Sequence, residues 1–403
     1  MQKKIILSFI LLSVFFAGEK LARANFEIPG FELVYTAPVE AGLDARDLRN
    51  PVDVWPEMFD EAKREIVLGQ MYAVGKKGEP LEPVVDSLEK AGKRGVKIRM
   101  LLEQKMLRAS DPATIEALKK IPNLQLHIVE FGKLKADGII HAKYIVVDRK
   151  KAYVGSQNFD WRSLKHIHEL GLKITQKEIV QNVQAIFDQD WVNTEKAEKK
   201  QKVQPSQKKP LLVKGDKASY VVASPYAWNP KTVADSESEL VRLLGQAKEE
   251  VLVQTMEYLP LDRKKKFYPT IDNAIRAALA RGVKVKLLVA HWSQGKPGID
   301  YLKSLAMLPG IELKIVTIPA AKEGTIPFAR VNHSKYMVVD KKLAWIGTSN
   351  WAGGYLDNAR NLEVVVRDEK LATRVTELFT QIWSAPFSEK IDVNKEYAKP
   401  GKE

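Results

Sequence analysis

Apolar residues in this chain fall into short strand-like runs separated by stretches of helical spacing. Ile66–Tyr72 and Val96–Leu102 are runs of the first kind, and Leu81–Lys93 between them reads as a helix. Further along, a helix at Ile271–Ala280 leads into a strand at Val283–Val289. Val183, Phe187 and Trp191 share one helical face, as do Val375, Phe379 and Ile382, which predicts two closing helices. Helix–strand alternation of this kind predicts an α/β layer sandwich.

The pattern occurs twice. Ala62–Leu68 matches Ala247–Val253 at an offset of 185, and Arg94–Ile98 matches Arg281–Val285 at 187. His141, Lys143, Asp148 and Gly155 match His333, Lys335, Asp340 and Gly347 at an offset of 192. Ordered matches at slowly growing offsets mean duplication with small loop insertions. The chain therefore divides into an N-terminal half at 25–194, a linker at 195–210 and a C-terminal half at 211–403. Glu195 to Lys209 carries six Lys and two Glu without apolar periodicity, so it reads as a solvated linker.

Residues 1–24 read as a targeting segment. Lys3 and Lys4 precede an apolar run at Ile5–Ala17, and Ala22-Arg23-Ala24 forms a small-x-small cleavage site before Asn25. The run is short for a membrane span, and Glu19 and Lys20 interrupt it. The mature chain is expected in the periplasm or the medium, with no transmembrane span. A chain without cysteine has neither disulfides nor zinc–thiolate sites. The net charge of +14 favours anionic partners, either nucleic acid or phospholipid surfaces.

The repeated motif carries the chemistry. In a strand from His141 to Asp148, His141 and Lys143 share a face, while Asp148 falls on the other, beside a polar turn. That position fits Asp148 for holding the turn. The strand at Ala152–Val154 then brings Gly155-Ser156-Gln157-Asn158 alongside, and Gly347-Thr348-Ser349-Asn350 repeats this in the second half. In-line displacement at phosphorus needs a nucleophile on one side and a proton donor on the other, which two histidines supply. Lys143, Lys335, Asn158 and Asn350 can hold the non-bridging oxygens, and Ser156 and Ser349 are further candidates for phosphate binding. A carboxylate should orient each imidazole. Glu169 and Glu363 lie in apolar strand-like stretches, where an acid needs a partner, and the histidines are natural ones. His127, His166, His168 and His291 have no metal-ligand spacing, and no cofactor or metal is expected. His291 and Trp292 follow the strand Val283–Val289, where an α/β site opens.

These residues resemble the phospholipase D superfamily, whose signature is this doubled motif. The likeness is finest to the branch with lysosomal exonuclease-type relatives and the poxvirus envelope phospholipase-like protein. It is carried by Gly155–Ser163, Tyr258-Leu259-Pro260, Arg330–Tyr336 and Ile346–Trp351. The resemblance implies a duplicated α/β sandwich with one site between two pseudo-symmetric halves, a monomeric catalytic unit, and a phosphohistidine intermediate formed without metal. It implies catalytic sets of His141, Lys143, Asp148 and His333, Lys335, Asp340. It further implies that Asn158 and Asn350 bind phosphate and that Glu169 and Glu363 back the histidines. Single-stranded nucleic acid is the expected substrate, with Trp161, Trp351 and Tyr355 as candidate stacking platforms. The alternatives are a phospholipid headgroup, or a non-hydrolytic envelope protein that binds anionic surfaces.

Overall fold

The computed structural model describes residues 25–398 and Pro400; the targeting segment expected at 1–24 lies outside them. The first half contributes strands β1 (Glu27–Ile28), β2 (Phe31–Thr36), β3 (Glu65–Gln70), β4 (Lys97–Glu103), β5 (Leu124–Val129), β6 (Tyr144–Val147), β7 (Lys151–Gly155) and β8 (Glu169–Ile174). They form one sheet in the order β1-β2-β8-β7-β6-β3-β4-β5. The second half contributes β9 (Ser219–Ser224), β10 (Ala234–Asp235), β11 (Glu250–Gln254), β12 (Lys284–Ala290), β13 (Ile311–Val316), β14 (Lys335–Val339), β15 (Leu343–Gly347), β16 (Asn361–Val366) and β17 (Ser388–Lys390). Its order is β10-β9-β16-β15-β14-β11-β12-β13-β17; the strands from β9 to β13 follow the same path as those from β2 to β5, and a strand is added at the far edge.

Helices α1 (Pro51–Asp60), α2 (Leu81–Lys93) and α3 (Pro112–Lys120) cover the outer face of the first sheet. The closing helix of that half is α4 (Lys177–Glu198). Helices α5 (Ser236–Gln246), α6 (Thr270–Ala280) and α7 (Gly298–Ala306) cover the second sheet, and its closing helix is α8 (Glu369–Trp383). One buried cluster joins the two halves. It takes Tyr144 and Val146 from β6, Tyr336 and Val338 from β14, and the apolar faces of α4 and α8. The alternate residues Ile145 and Val147 face outward into the core under α1 and α2. Both faces of the strand are therefore apolar because both are covered.

Helix α4 runs on to Glu198, so the Lys-rich stretch starts as helix. Its six lysines are exposed. Gln207 is buried, and its amide donates to the Pro230 and Val233 carbonyls at 2.7 and 2.9 Å. No helix among the described residues is long and apolar enough to cross a membrane.

Candidate active site

The two histidines precede their strands instead of lying in them. β6 begins at Tyr144 and β14 at Lys335. Each histidine is held by the main chain of the other half. The His141 amide donates to the Arg360 carbonyl at 3.0 Å, and the Arg360 amide donates to the Ile139 carbonyl at 2.9 Å. In the mirror arrangement, the His333 amide donates to the His168 carbonyl and the His168 amide to the Val331 carbonyl, both at 3.0 Å. The halves are thus stitched together at the imidazoles. Both rings open on one cavity of about 590 Å³, which Asn158, Tyr355, Met71 and Met256 also line.

The motif glycines permit the close approach that this needs. A Cβ on Gly347 would lie 2.5 Å from the Leu362 carbonyl oxygen, so only glycine lets β15 and β16 run this close. That contact fixes Asn361 and Glu363 behind the second motif.

The partners of the two rings differ. His333 Nδ1 lies 2.9 and 2.8 Å from the two Glu169 carboxylate oxygens. His141 Nδ1 lies 2.8 Å from Asn361 Oδ1. The expected pairing of Glu363 with a histidine is therefore replaced by an Asn361 contact. Glu363 instead accepts from the Ser349 hydroxyl at 2.5 Å and from the Ser236 hydroxyl. Burial pushes the carboxyls of Glu169 and Glu363 up to about 7.

Lys143 and Lys335 are fully buried, and each ammonium donates to the carbonyl of the histidine two residues earlier. Burial drives Lys143 down to about 7 and Lys335 well below the ordinary lysine range. Burial, reinforced by both lysines, drives His141 and His333 well below the ordinary imidazole value. An anionic phosphate beside these groups favours their charged forms and so offsets that cost.

Several expected phosphate ligands are already engaged. The Ser156 hydroxyl donates to the Leu170 carbonyl at 3.2 Å and accepts from the Leu170 amide at 3.1 Å, which pins β7 to β8. Ser349 is occupied by Glu363. Neither serine is free for a phosphate. Asn158 Oδ1 and the Asn350 side-chain amide are buried without a hydrogen-bond partner among the described residues, although the Tyr355 hydroxyl lies within reach of Asn350. A buried amide in this state is available to a ligand.

The two motif aspartates sit at the other end of their strands. Asp148 accepts the main-chain amides of Lys63, Arg64 and Glu65 at 2.8–2.9 Å. Asp340 does the same for Lys248, Glu249 and Glu250. Asp148 and Arg149 both have positive φ, 52° and 57°, as a tight hairpin turn between β6 and β7 requires. These aspartates hold turns and do not reach the cavity, so their place in the catalytic set is corrected. Strand alternation had pointed the same way.

Trp351 is buried in the core of the second half, and Trp161 is buried in that of the first. Of the three candidate platforms only Tyr355 reaches the site, edge-on to His141 with ring centroids 4.9 Å apart. Trp292 does line the cavity, as its place after β12 predicts, and His291 lines the adjoining one. Phe328 is a lining residue that the sequence did not single out; it is 56% exposed, and Trp292 is 37% exposed.

Fold and site together define a two-half α/β protein with one shared histidine centre. A family model described as "Cardiolipin synthase, PLD-like domain" matches residues 56–191 and again residues 240–383. Phospholipase D Z of Dictyostelium discoideum is 30% identical over 362 residues, covering 83% of this chain and 85% of that protein. The 5'-3' exonuclease PLD3 of Xenopus laevis is 30% identical over 403 residues, with 89% and 80% covered. The crystal structure of phosphatidylserine synthase from Haemophilus influenzae Rd KW20 shares the fold at a TM-score of 0.60 and 13% identity, covering 84% of this chain and 85% of that one. The chain belongs to the phospholipase D superfamily, and it is a phosphodiesterase.

Proposed function

We propose that this protein is an exported phosphodiesterase that cleaves single-stranded nucleic acid through a phosphohistidine, without a metal. The observation that carries this is the cavity itself. Two imidazoles from opposite halves meet there, each with a buried lysine donating to its main-chain carbonyl, and the exposed rings of Trp292 and Phe328 stand at its edge. One imidazole attacks phosphorus while the other protonates the leaving oxygen. Lys143, Lys335, Asn158 and Asn350 take the non-bridging oxygens. Exposed aromatic faces beside a phosphate centre suit unpaired bases, each stacking contact being worth about 1–3 kcal/mol. The strongly basic chain draws in a polyanion. Relatives at 30% identity bear the name 5'-3' exonuclease.

A second reading has its own observation. Met71, Met106, Ile167, Met256 and Val331 give the cavity an apolar wall that an acyl glycerol would also accept, and other relatives are named phospholipase D. Turnover of a single-stranded oligonucleotide, a hairpin duplex and phosphatidylcholine vesicles at matched phosphate separates the two. The single strand is expected to be cut fastest. Choline release without nucleotide release overturns the nuclease reading.

Two predictions follow from the same site. Trp292→Ala with Phe328→Ala is expected to raise KM for an oligonucleotide by at least about 10-fold, since one lost stack is worth 1–3 kcal/mol. Turnover of bis(4-nitrophenyl) phosphate, which fills only the reacting end, should stay within about 3-fold of the parent. Equal losses on both substrates would count against stacking. Excess EDTA is expected to leave activity unchanged, because imidazole and ammonium groups meet every role that the reaction needs. Loss on chelation, restored by one divalent ion, overturns that mechanism.

A further inference from the structure

A second cavity, of about 310 Å³, adjoins the one that holds the imidazoles. Trp292 lines both, so the two meet at its indole ring. Thr317, Pro319 and Thr325 are exposed and form the rim of the second cavity, while Arg330, only 6% exposed, forms part of its inner wall. Arg330 also lies three residues before His333, a separation that an extended chain covers in at most about 11 Å. The second cavity is therefore within reach of the next phosphates of a strand held at the imidazoles.

The Arg330 guanidinium is only partly satisfied. Nε donates to the Pro319 carbonyl at 2.6 Å and Nη1 to the Val39 carbonyl at 2.7 Å, which clamps a loop of each half. Nη2 is buried and has no hydrogen-bond partner among the described residues. No carboxylate among them pairs with the group either. Glu40 is the acid whose charge supports it, but that carboxylate is turned to the Lys322 amide at 2.8 Å. Burial accordingly brings Arg330 below the ordinary arginine value. Arg360, another buried guanidinium, shows the satisfied arrangement, with Asp190 at 2.8 Å. A guanidinium cannot shed its proton to escape the cost of burial, so an unpaired one in a cavity wall calls for an anion. The backbone adds to that cost, since Arg330 has a positive φ of 55°.

We infer that this cavity is a second anion subsite, in which Arg330 Nη2 donates to a non-bridging oxygen of a phosphodiester flanking the scissile one. The assignment rests on the nuclease reading of the main site. Trp292 then stands between two phosphate positions, where the nucleoside that joins them can stack its base. Phosphatidylcholine carries a single phosphate, which the imidazoles would take, and it leaves Arg330 unpaired. A strand of linked phosphates satisfies both cavities at once.

Thymidine di-, tri- and tetranucleotides with free hydroxyl ends test the subsite on the full chain, because each step adds one phosphodiester. KM should fall by at least about 10-fold between the dinucleotide and the tetranucleotide, the effect of one charge-assisted hydrogen bond. In Arg330→Met that ratio should collapse to within about 2-fold. A role confined to clamping the two loops lowers the rate at every length and keeps the ratio, which overturns the subsite. Lys322→Met removes an exposed cation from the same region and should also keep the parent ratio. Its collapse there would mean general attraction of a polyanion and overturn the subsite. Where circular dichroism shows that Arg330→Met has lost the fold, Thr325→Glu decides instead. It sets a carboxylate in the exposed rim, leaves both clamping bonds in place and should flatten the ratio; an unchanged ratio there overturns the subsite. A parent enzyme that cuts all three lengths with one KM also overturns it and leaves the nuclease reading intact. Hydrolysis of phosphatidylcholine with no cutting of any oligonucleotide removes that reading, and the subsite falls with it.

Discussion

Replacing either His141 or His333 with alanine is expected to lower kcat on any phosphodiester with an alkoxide leaving group by at least ~10³-fold. Nucleophile and acid act in one transition state, so the effects will not add. The double variant should be about as slow as the slower single one, as is usual for groups working as a unit. The structural ground is that both rings open on one cavity, and each is held by the main chain of the opposite half. Steady-state rates of the three variants, with circular dichroism to confirm the fold, settle it. Near-normal turnover in either single variant would mean that the two halves do not share a site.

The sequence disclosed the centre more fully than its surroundings. His141, Lys143, His333 and Lys335 stand out because the motif is repeated intact. The two-sheet architecture follows from the same repeat. The supporting residues are harder to find, since a strand shows which face a residue is on but not what meets it from the other half. Glu363 looks like the natural match for Glu169 because both are acids in apolar strands. The constant offset of 192 points instead to Asn361, and the geometry agrees. Chemical likeness misled where register would have served. The same offset pairs Ser156 with Thr348, not with Ser349. Both hydroxyls tie a motif strand to the main chain of its neighbour, at Leu170 and Leu362. Trp161 and Trp351 lie close to the motifs in sequence yet pack into the cores, because the short strands after each asparagine turn back under the sheets. Phe328 shows no pattern at all; its exposure depends on a loop whose course only the fold reveals.

Arg360 marks the limit of sequence reading most clearly, and the largest stability effect is expected there. It immediately precedes Asn361, is fully buried, and belongs to the second half. Its guanidinium meets Asp190 of helix α4, in the first half, through two parallel bonds of 2.8 and 2.9 Å. The remaining donors go to the Ser224 and Trp228 carbonyls and to Asn229 Oδ1. Every polar hydrogen of the group is used, which is the condition under which a buried ion pair can be tolerated. Asp190→Ala removes the only carboxylate in that shell and leaves a buried cation unpaired. The expected cost is about 3–5 kcal/mol, read as a shift of the denaturant midpoint. Activity should fall beyond what unfolding explains, because the Arg360 carbonyl carries the His141 amide. Pairing Asp190→Leu with Arg360→Met removes both charges together and should restore most of the stability. Asn361 keeps its main-chain position in that double variant, so His141 should regain its partner and turnover should recover along with the fold. A loss below about 1 kcal/mol in Asp190→Ala would show that this ion pair contributes little to holding the two halves together.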